Sequence, residues 1–241
     1  MPPPPEIAAR GFILHDLGSQ QTLAVRQPDQ AVPPASLTKL MTAYLVYQAV
    51  DAGQLRLEDT LPVSDRAWQA AIGSGARALA AAGARLTVAE LLQGMAVLGA
   101  NDAAVALAEG VAGSVDDFVA RMNRQAQVFG LRATQFRNPD GRAVSGQAST
   151  PRELAWIAVR LLTDFPQALT HYRQPALTLG GVRHASTNLL LLRDPSVDGL
   201  QVAYADRLGY AMAATSRRPV GGSERRLVAL VVGTPSAQAR A

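Results

Sequence analysis

The 241-residue chain is 48% hydrophobic and 17% charged, which is enough apolar material for a substantial core and excludes wholesale disorder. Cysteine is absent, which rules out disulfides, thiolate metal sites and a cysteine nucleophile. The net charge of +4 is scattered. Its densest stretch, Arg217, Arg218, Arg225 and Arg226, has no aromatic residues interleaved, so nucleic acid is not an expected partner.

Met1 to Glu6 is a short Pro run without a basic or apolar core, and so does not read as a signal peptide. Gly11 to Leu14 reads as a strand, Gly18-Ser19 as a turn and Thr22 to Val25 as the return strand. Pro33-Pro34 halts the chain. From Ser36 to Val50, Leu37, Leu40, Met41, Tyr44, Leu45 and Ala49 fall at helical spacing and predict an amphipathic helix, stopped near Gly53. Residues 64–86 read as a helix start followed by a flexible loop, with Gly73-x-Gly75 at the edge of a cleft. Thr87 with Glu90 forms a capping box ahead of Leu91, Leu92 and Met95. Asn101 or Asp102 opens a further helix through Ala108, and Ser114 opens another that Gly130 closes. A Gly- and Pro-containing loop spans 138–150, and Thr150-Pro151 with Glu153 starts a helix through Leu162. Leu177 to Val182, Tyr210 to Ala214 and Arg226 to Val232 read as strands, with a turn over Ser216 to Ser223 tipped by Gly221-Gly222. Strands at both ends around a run of helices predict an α/β domain whose sheet is built from both ends of the chain. No apolar run is long enough to span a bilayer.

A serine hydroxyl is a poor nucleophile until a base takes its proton. Lys39 lies three positions after Ser36, so the two side chains share one helical face. A lysine acts as a base when burial or a neighbouring cation lowers its pKa. Ser36 at a helix start would also have unpaired backbone N–H groups beside it. His15, His171 and His184 show no metal-ligand spacing, so neither a metal nor a cofactor is expected.

The context of this pair is more specific than its spacing. Pro34-Ala35-Ser36-Leu37-Thr38-Lys39-Leu40-Met41-Thr42 resembles the nucleophile segment of the penicillin-recognising serine D-alanyl-D-alanine carboxypeptidases. Further segments agree in the same order. Leu98-Gly99-Ala100-Asn101-Asp102-Ala103-Ala104 resembles the second motif, Ser-x-Asn followed by Asp-Ala. Asn138-Pro139-Asp140-Gly141 resembles an Asn-Pro-His-Gly loop, and Asp198-Gly199-Leu200 the approach to the third motif. The resemblance runs from about residue 6 to 233. Class A β-lactamases share the motif order, but no Glu-x-x-Leu-Asn segment is present.

The resemblance implies a single serine β-lactamase/transpeptidase-like α/β domain over 1–241. Its mainly antiparallel sheet would be flanked by helices, with a helical lobe over about 64–165 and Ser36 on the cleft floor. It implies that Ser36 attacks the D-Ala-D-Ala carbonyl of a peptidoglycan stem peptide, that Lys39 takes its proton, and that Asn101 contacts both substrate and Lys39. β-Lactams would acylate Ser36. The place of action would be the bacterial cell envelope, periplasmic or otherwise extracytoplasmic. The further β-domain and C-terminal anchor often carried by the family are not expected within 1–241.

The chain departs from that pattern along the substrate-binding wall, Gly99, Gln201, Val202 and Ala203. Gly99 lacks the hydroxyl that relays a proton to the leaving amine. Gln201-Val202-Ala203 replaces Lys-Thr-Gly, losing a cation and a hydroxyl and adding a Cβ. Asp140 stands for a histidine, and Thr187 lies near a usual arginine. Losing a charge-assisted hydrogen bond costs roughly 1.5–3 kcal/mol, and losing a proton relay on the order of 10²–10⁴ in rate. The departures therefore imply weakened turnover. Tyr204 is a candidate substitute hydroxyl. The alternative is a catalytically inactive relative that binds peptidoglycan or another cell-envelope partner.

Overall fold

A computed structural model describes residues 6–73 and 78–241. The start of the Pro run and Gly75 of the expected cleft edge lie outside the described residues.

The chain opens with the hairpin β1 (Gly11–Asp16) and β2 (Gln21–Arg26), followed by α1 (Lys39–Asp51). Next come β3 (Thr60–Pro62), α2 (Asp65–Ile72), β4 (Arg85–Thr87), α3 (Val88–Leu98), α4 (Asn101–Ala112) and α5 (Val115–Val128). After a long loop come α6 (Pro151–Asp164), α7 (Leu169–Tyr172) and the hairpin β5 (Ala176–Leu179) with β6 (Val182–Ala185). The chain then runs through β7 (Val197–Gly199), β8 (Val202–Ala205), β9 (Gly209–Val220), β10 (Ser223–Thr234) and α8 (Ala237–Arg240).

The main sheet has six strands, in the order β2-β1-β10-β9-β7, with β8 also on β9. All its pairings are antiparallel. The two chain ends meet at β1 and β10, as the strand distribution predicted. The short strands β7 and β8 share one edge of the long β9: Val197 lies opposite Ser216, and Tyr204 opposite Tyr210. Alternation along β9 builds two cores. Ala211 and Ala213 face the main one, and Met212 and Ala214 a smaller one that Ala241 joins. Helix α6 packs on β1 and β10, while α8 packs on β9 and β10.

The caps predicted at Thr87, Ser114 and Thr150 form, and Ser64 supplies a further one. Thr87 and Glu90 close a capping box, and the Ser64, Ser114 and Thr150 side chains accept from the third helical N–H of α2, α5 and α6. Three expectations need correction. The stretch read as one strand from Leu177 to Val182 is a hairpin, because Gly180 and Gly181 both take positive φ and turn the chain. The turn expected over Ser216 to Ser223 is mostly strand: β9 and β10 stay paired until Val220 meets Ser223, and only Gly221-Gly222 turns. The first helix is not amphipathic. Every residue from Lys39 to Tyr47 is buried, because α1 lies between α6 and the α4/α5 pair.

Candidate active site

Ser36 does not begin the α-helix. It sits in a 3-10 turn, Ala35–Thr38, and α1 starts at Lys39. Pro33-Pro34 restricts the approach, and Ala35 is held at φ 47°, in the left-handed region that costs a non-glycine residue about 1–2 kcal/mol. What holds this turn is the loop over 137–147. Gly141, at φ 86°, lies directly against the Ala35–Ser36 peptide, where a Cβ would overlap the Ala35 carbonyl. The loop is internally braced: Asn138 Oδ1 accepts from Gly141 N at 2.7 Å, and Gln147 Oε1 accepts from Arg137 N at 2.9 Å. It docks on the first turn of α1, where Thr42 Oγ1 donates to Pro139 O at 2.6 Å.

Lys39 is fully buried. Its Nζ lies 2.7 Å from Asn101 Oδ1, 2.6 Å from the Asp140 carbonyl oxygen and 3.2 Å from Ser36 Oγ. The first two partners only accept, and Asn101 is oriented by its Nδ2 donating to Ala70 O at 3.4 Å. A neutral amine has two N–H bonds and one lone pair. With both N–H bonds committed to those acceptors, the lone pair is left for the Ser36 hydroxyl. Burial pushes the Lys39 pKa down to about 8, with the Arg142 cation acting in the same direction and the Asp140 and Asp102 carboxylates opposing it. At pH 7 about a tenth of the amine is then neutral, some three hundred times more than for an ordinary lysine.

Asn101 opens α4, and the neighbouring Asp102 anchors the segment at Leu79 and Ala80. Its carboxylate, wholly buried, accepts from Leu79 N at 2.5 Å and Ala80 N at 3.2 Å. Ser36, Gly99, Asn101, Gly141, Val202 and Ala203 line one open cleft of about 810 Å³. Gly73 lines it too.

Gln201 is the exception among the residues expected on the wall. It is buried, not lining the cleft, because its amide folds back on its own strand and Nε2 donates to Val202 O at 3.2 Å. Its Oε1 is buried without a partner. Gly99 ends α3 at φ 69°, and the nearest atom to a Cβ built there is Gln201 Nε2, at 3.9 Å. The two departures from the motif pattern are thus spatial neighbours. Tyr204 lies on the cleft wall, half-exposed, but its hydroxyl donates to Asp206 Oδ1 at 3.1 Å rather than serving the Ser36–Lys39 pair.

Residue reasoning missed two cleft cations, Arg142 and Arg240. Arg142 Nε donates to the buried Asp140 Oδ2 at 2.5 Å. Its place beside Gly141 in the Asn-Pro-Asp-Gly loop was an available signal. Arg240 reaches the cleft from α8, where no local sequence signal marks it.

A buried lysine directed at a serine on the floor of an open cleft is the geometry of a serine acyl-transfer centre. Residues 1–236 match the peptidase S11 family, described as D-alanyl-D-alanine carboxypeptidase. The chain is 33% identical over 238 residues to the D-alanyl-D-alanine carboxypeptidase DacA of Haemophilus influenzae, covering 98% of this chain and 60% of that protein. It is 34% identical to DacA of Escherichia coli, covering 97% of this chain and 58% of that one. Penicillin binding protein 5 from Haemophilus influenzae superposes with a TM-score of 0.91 at 32% identity, covering 98% of this chain and 68% of that structure. Penicillin-binding protein D2 from Listeria monocytogenes, in its cefotaxime-bound form, gives 0.81 at 29% identity, covering 99% and 94%. The chain belongs to the D-alanyl-D-alanine carboxypeptidase family. It spans about three fifths of the length of the curated relatives it matches.

Proposed function

We propose that this chain is the acyl-transferring domain of a serine D-alanyl-D-alanine carboxypeptidase acting on peptidoglycan stem peptides outside the cytoplasm, in the bacterial cell envelope. The observation that carries this reading is the fully buried Lys39 amine, 3.2 Å from Ser36 Oγ, with its other hydrogen-bond directions taken by obligate acceptors.

Neutral Lys39 takes the Ser36 proton as Oγ bonds to the penultimate D-alanine carbonyl carbon. The peptide C–N bond then breaks. The proton held by Lys39 goes to the departing D-alanine nitrogen, a transfer that Gly99, lacking a hydroxyl, does not assist. Water adds to the ester carbon, Lys39 takes its proton and returns one to Ser36 Oγ, and the shortened peptide leaves. Asn101 holds Lys39 in place and presents its amide to the substrate. Gly99, Val202 and Ala203 form the wall along which the peptide lies. Gln201 shapes that wall from beneath. A β-lactam carbonyl presents the same electrophile to Ser36, and its acyl product blocks the site. The support for β-lactam binding is the likeness to the relative whose cefotaxime-bound and ampicillin-bound forms are known.

Labelled penicillin tests the nucleophile. A covalent adduct abolished by Ser36→Ala is expected, and no adduct on folded protein at millimolar drug would overturn the enzyme reading. Release of D-alanine from diacetyl-Lys-D-Ala-D-Ala then tests turnover. One observation favours a second reading, a non-catalytic peptidoglycan-binding relative. Gly99 has no relay hydroxyl, and the neighbouring Gln201 offers a neutral amide.

A further inference from the structure

Four charged side chains line the cleft: Asp140, Arg142, Asp206 and Arg240. Asp206 accepts from Tyr204, and Arg240 is tied to the Ala203 and Thr187 carbonyls at 3.1 and 3.2 Å. Arg142 is held differently. Its carbonyl accepts from Asn138 Nδ2 at 2.9 Å and from Gln147 Nε2 at 3.3 Å, which fixes its backbone within the loop over 137–147. Its Nε donates to Asp140 Oδ2. Neither Nη group has a hydrogen-bond partner among the described residues. The Arg142 side chain is 40% exposed, whereas that of Asp140 is wholly buried.

A buried carboxylate behind an arginine has two effects. It anchors the guanidinium through Nε, so the orientation of the group is set before a ligand arrives. It also makes the cation the only charge of the pair that meets the cleft. Asp140 does not take up the fork that an arginine offers a carboxylate, since its Oδ1 is buried without a partner. The N–H groups on Nη1 and Nη2 therefore stay open to a second carboxylate. The place is close to the chemistry: Gly141, the preceding residue, lies against the Ala35–Ser36 peptide. In a peptide that ends in D-alanyl-D-alanine, the leaving residue carries a single carboxylate. Any further acid belongs to the acyl half, which stays on Ser36 after the C–N bond breaks.

We propose that Arg142 is a specificity-determining residue for the acyl half of the substrate, its two Nη groups pairing with a free carboxylate on the side chain of the residue that precedes D-alanyl-D-alanine. The assignment rests on the carboxypeptidase reading above. A carboxylate there meets both Nη groups, a carboxamide offers them one oxygen, and an amine is repelled. Arg142 thus selects peptides whose side chain at that position ends in a free acid.

The test compares N-acetyl-α-aminopimelyl-D-Ala-D-Ala with the same peptide carrying a carboxamide at the end of the aminopimelyl side chain. The two differ only in that charge. Affinity is measured by calorimetry on the Ser36→Ala chain, with and without Arg142→Gln or Arg142→Lys, and thermal melts check each fold. The chain with Arg142 intact is expected to prefer the acid by about ten- to a hundredfold. Arg142→Gln should abolish that preference, and Arg142→Lys should keep part of it. The change that Arg142→Gln makes to Lys39 acts on both peptides alike and cancels in the ratio, so a merely structural role for Arg142 would leave the ratio unmoved. An acid-to-amide ratio unchanged by Arg142→Gln, or failure of a folded chain to bind either peptide, overturns the assignment. Penicillin labelling of the chain that retains Ser36 runs alongside. Absence of a Ser36 adduct there overturns the carboxypeptidase reading, whereas a normal adduct with an unchanged ratio overturns the Arg142 assignment alone.

Discussion

Replacing Gly141 by alanine should disable Ser36 while leaving most of the fold intact. A Cβ at this position overlaps the Ala35 carbonyl and comes within 2.9 Å of Ser36 N. Ordinary contact needs about 3.5 Å, so either the turn carrying Ser36 or the loop over 137–147 must shift by about 1 Å or more. The φ of 86° adds a backbone cost of about 1–2 kcal/mol for any residue with a Cβ. The displaced groups are the ones that matter. Asp140, the preceding residue, accepts from Lys39 through its carbonyl at 2.6 Å, and Ser36 Oγ is 3.2 Å from the same nitrogen. A misplacement of about 1 Å costs on the order of a hundredfold in a positioned reaction. Gly141→Ala should therefore lower the rate of Ser36 acylation by labelled penicillin about a hundredfold. The melting temperature should fall by only about 2–4 °C per kcal/mol, a shift read in parallel. Acylation within threefold of the parent chain would refute the view that this glycine sets the nucleophile's position.

The acylation rate should rise with pH and level off above about 8, the pKa of the buried Lys39 whose neutral form is the base. Arg142 lowers that pKa and Asp140 raises it, so Arg142→Gln should move the midpoint up and Asp140→Asn move it down. Shifts in the same direction in a pH–rate series would contradict the electrostatic account. Asp102→Ala strips the acceptor from the Leu79 and Ala80 N–H groups and should destabilise the fold by about 2–4 kcal/mol in urea titrations. A serine at position 99 must adopt φ 69° but meets nothing closer than 3.9 Å from its Cβ. Combined with Lys-Thr-Gly at 201–203, it should raise D-alanine release by about a hundredfold, the lower end of a proton relay's typical worth of about 10²–10⁴. No gain in that assay would show that these positions do not limit turnover.

Local features of the sequence determined the local features of the molecule. Thr87 with Glu90, Ser114 and Thr150 cap the helices they precede, because a cap needs only a side-chain oxygen three residues from an orphan N–H. The order of the segments around Ser36 and Lys39 was likewise enough to indicate the family. The burial of α1 was not legible, since an apolar stripe does not tell whether the other faces meet water or protein. Nor was the full length of the β9–β10 hairpin, because Arg217 and Arg218 read as polar turn residues until their pairing with Arg226 and Arg225 is seen.

The chemistry of the site was decided further from the sequence still. Lys39 is poised towards Ser36 because Asn101 and Asp140, 62 and 101 residues away, accept from its Nζ and the fold removes it from water. Gly99 and Gln201 become one feature because α3 ends against the strand edge. Arg240 enters the cleft only because β10 carries α8 back across the sheet to the carbonyl of Ala203. Residue type and spacing set what each group could do. Desolvation and the convergence of distant segments, which exist only in the folded chain, set which groups meet and in what protonation state.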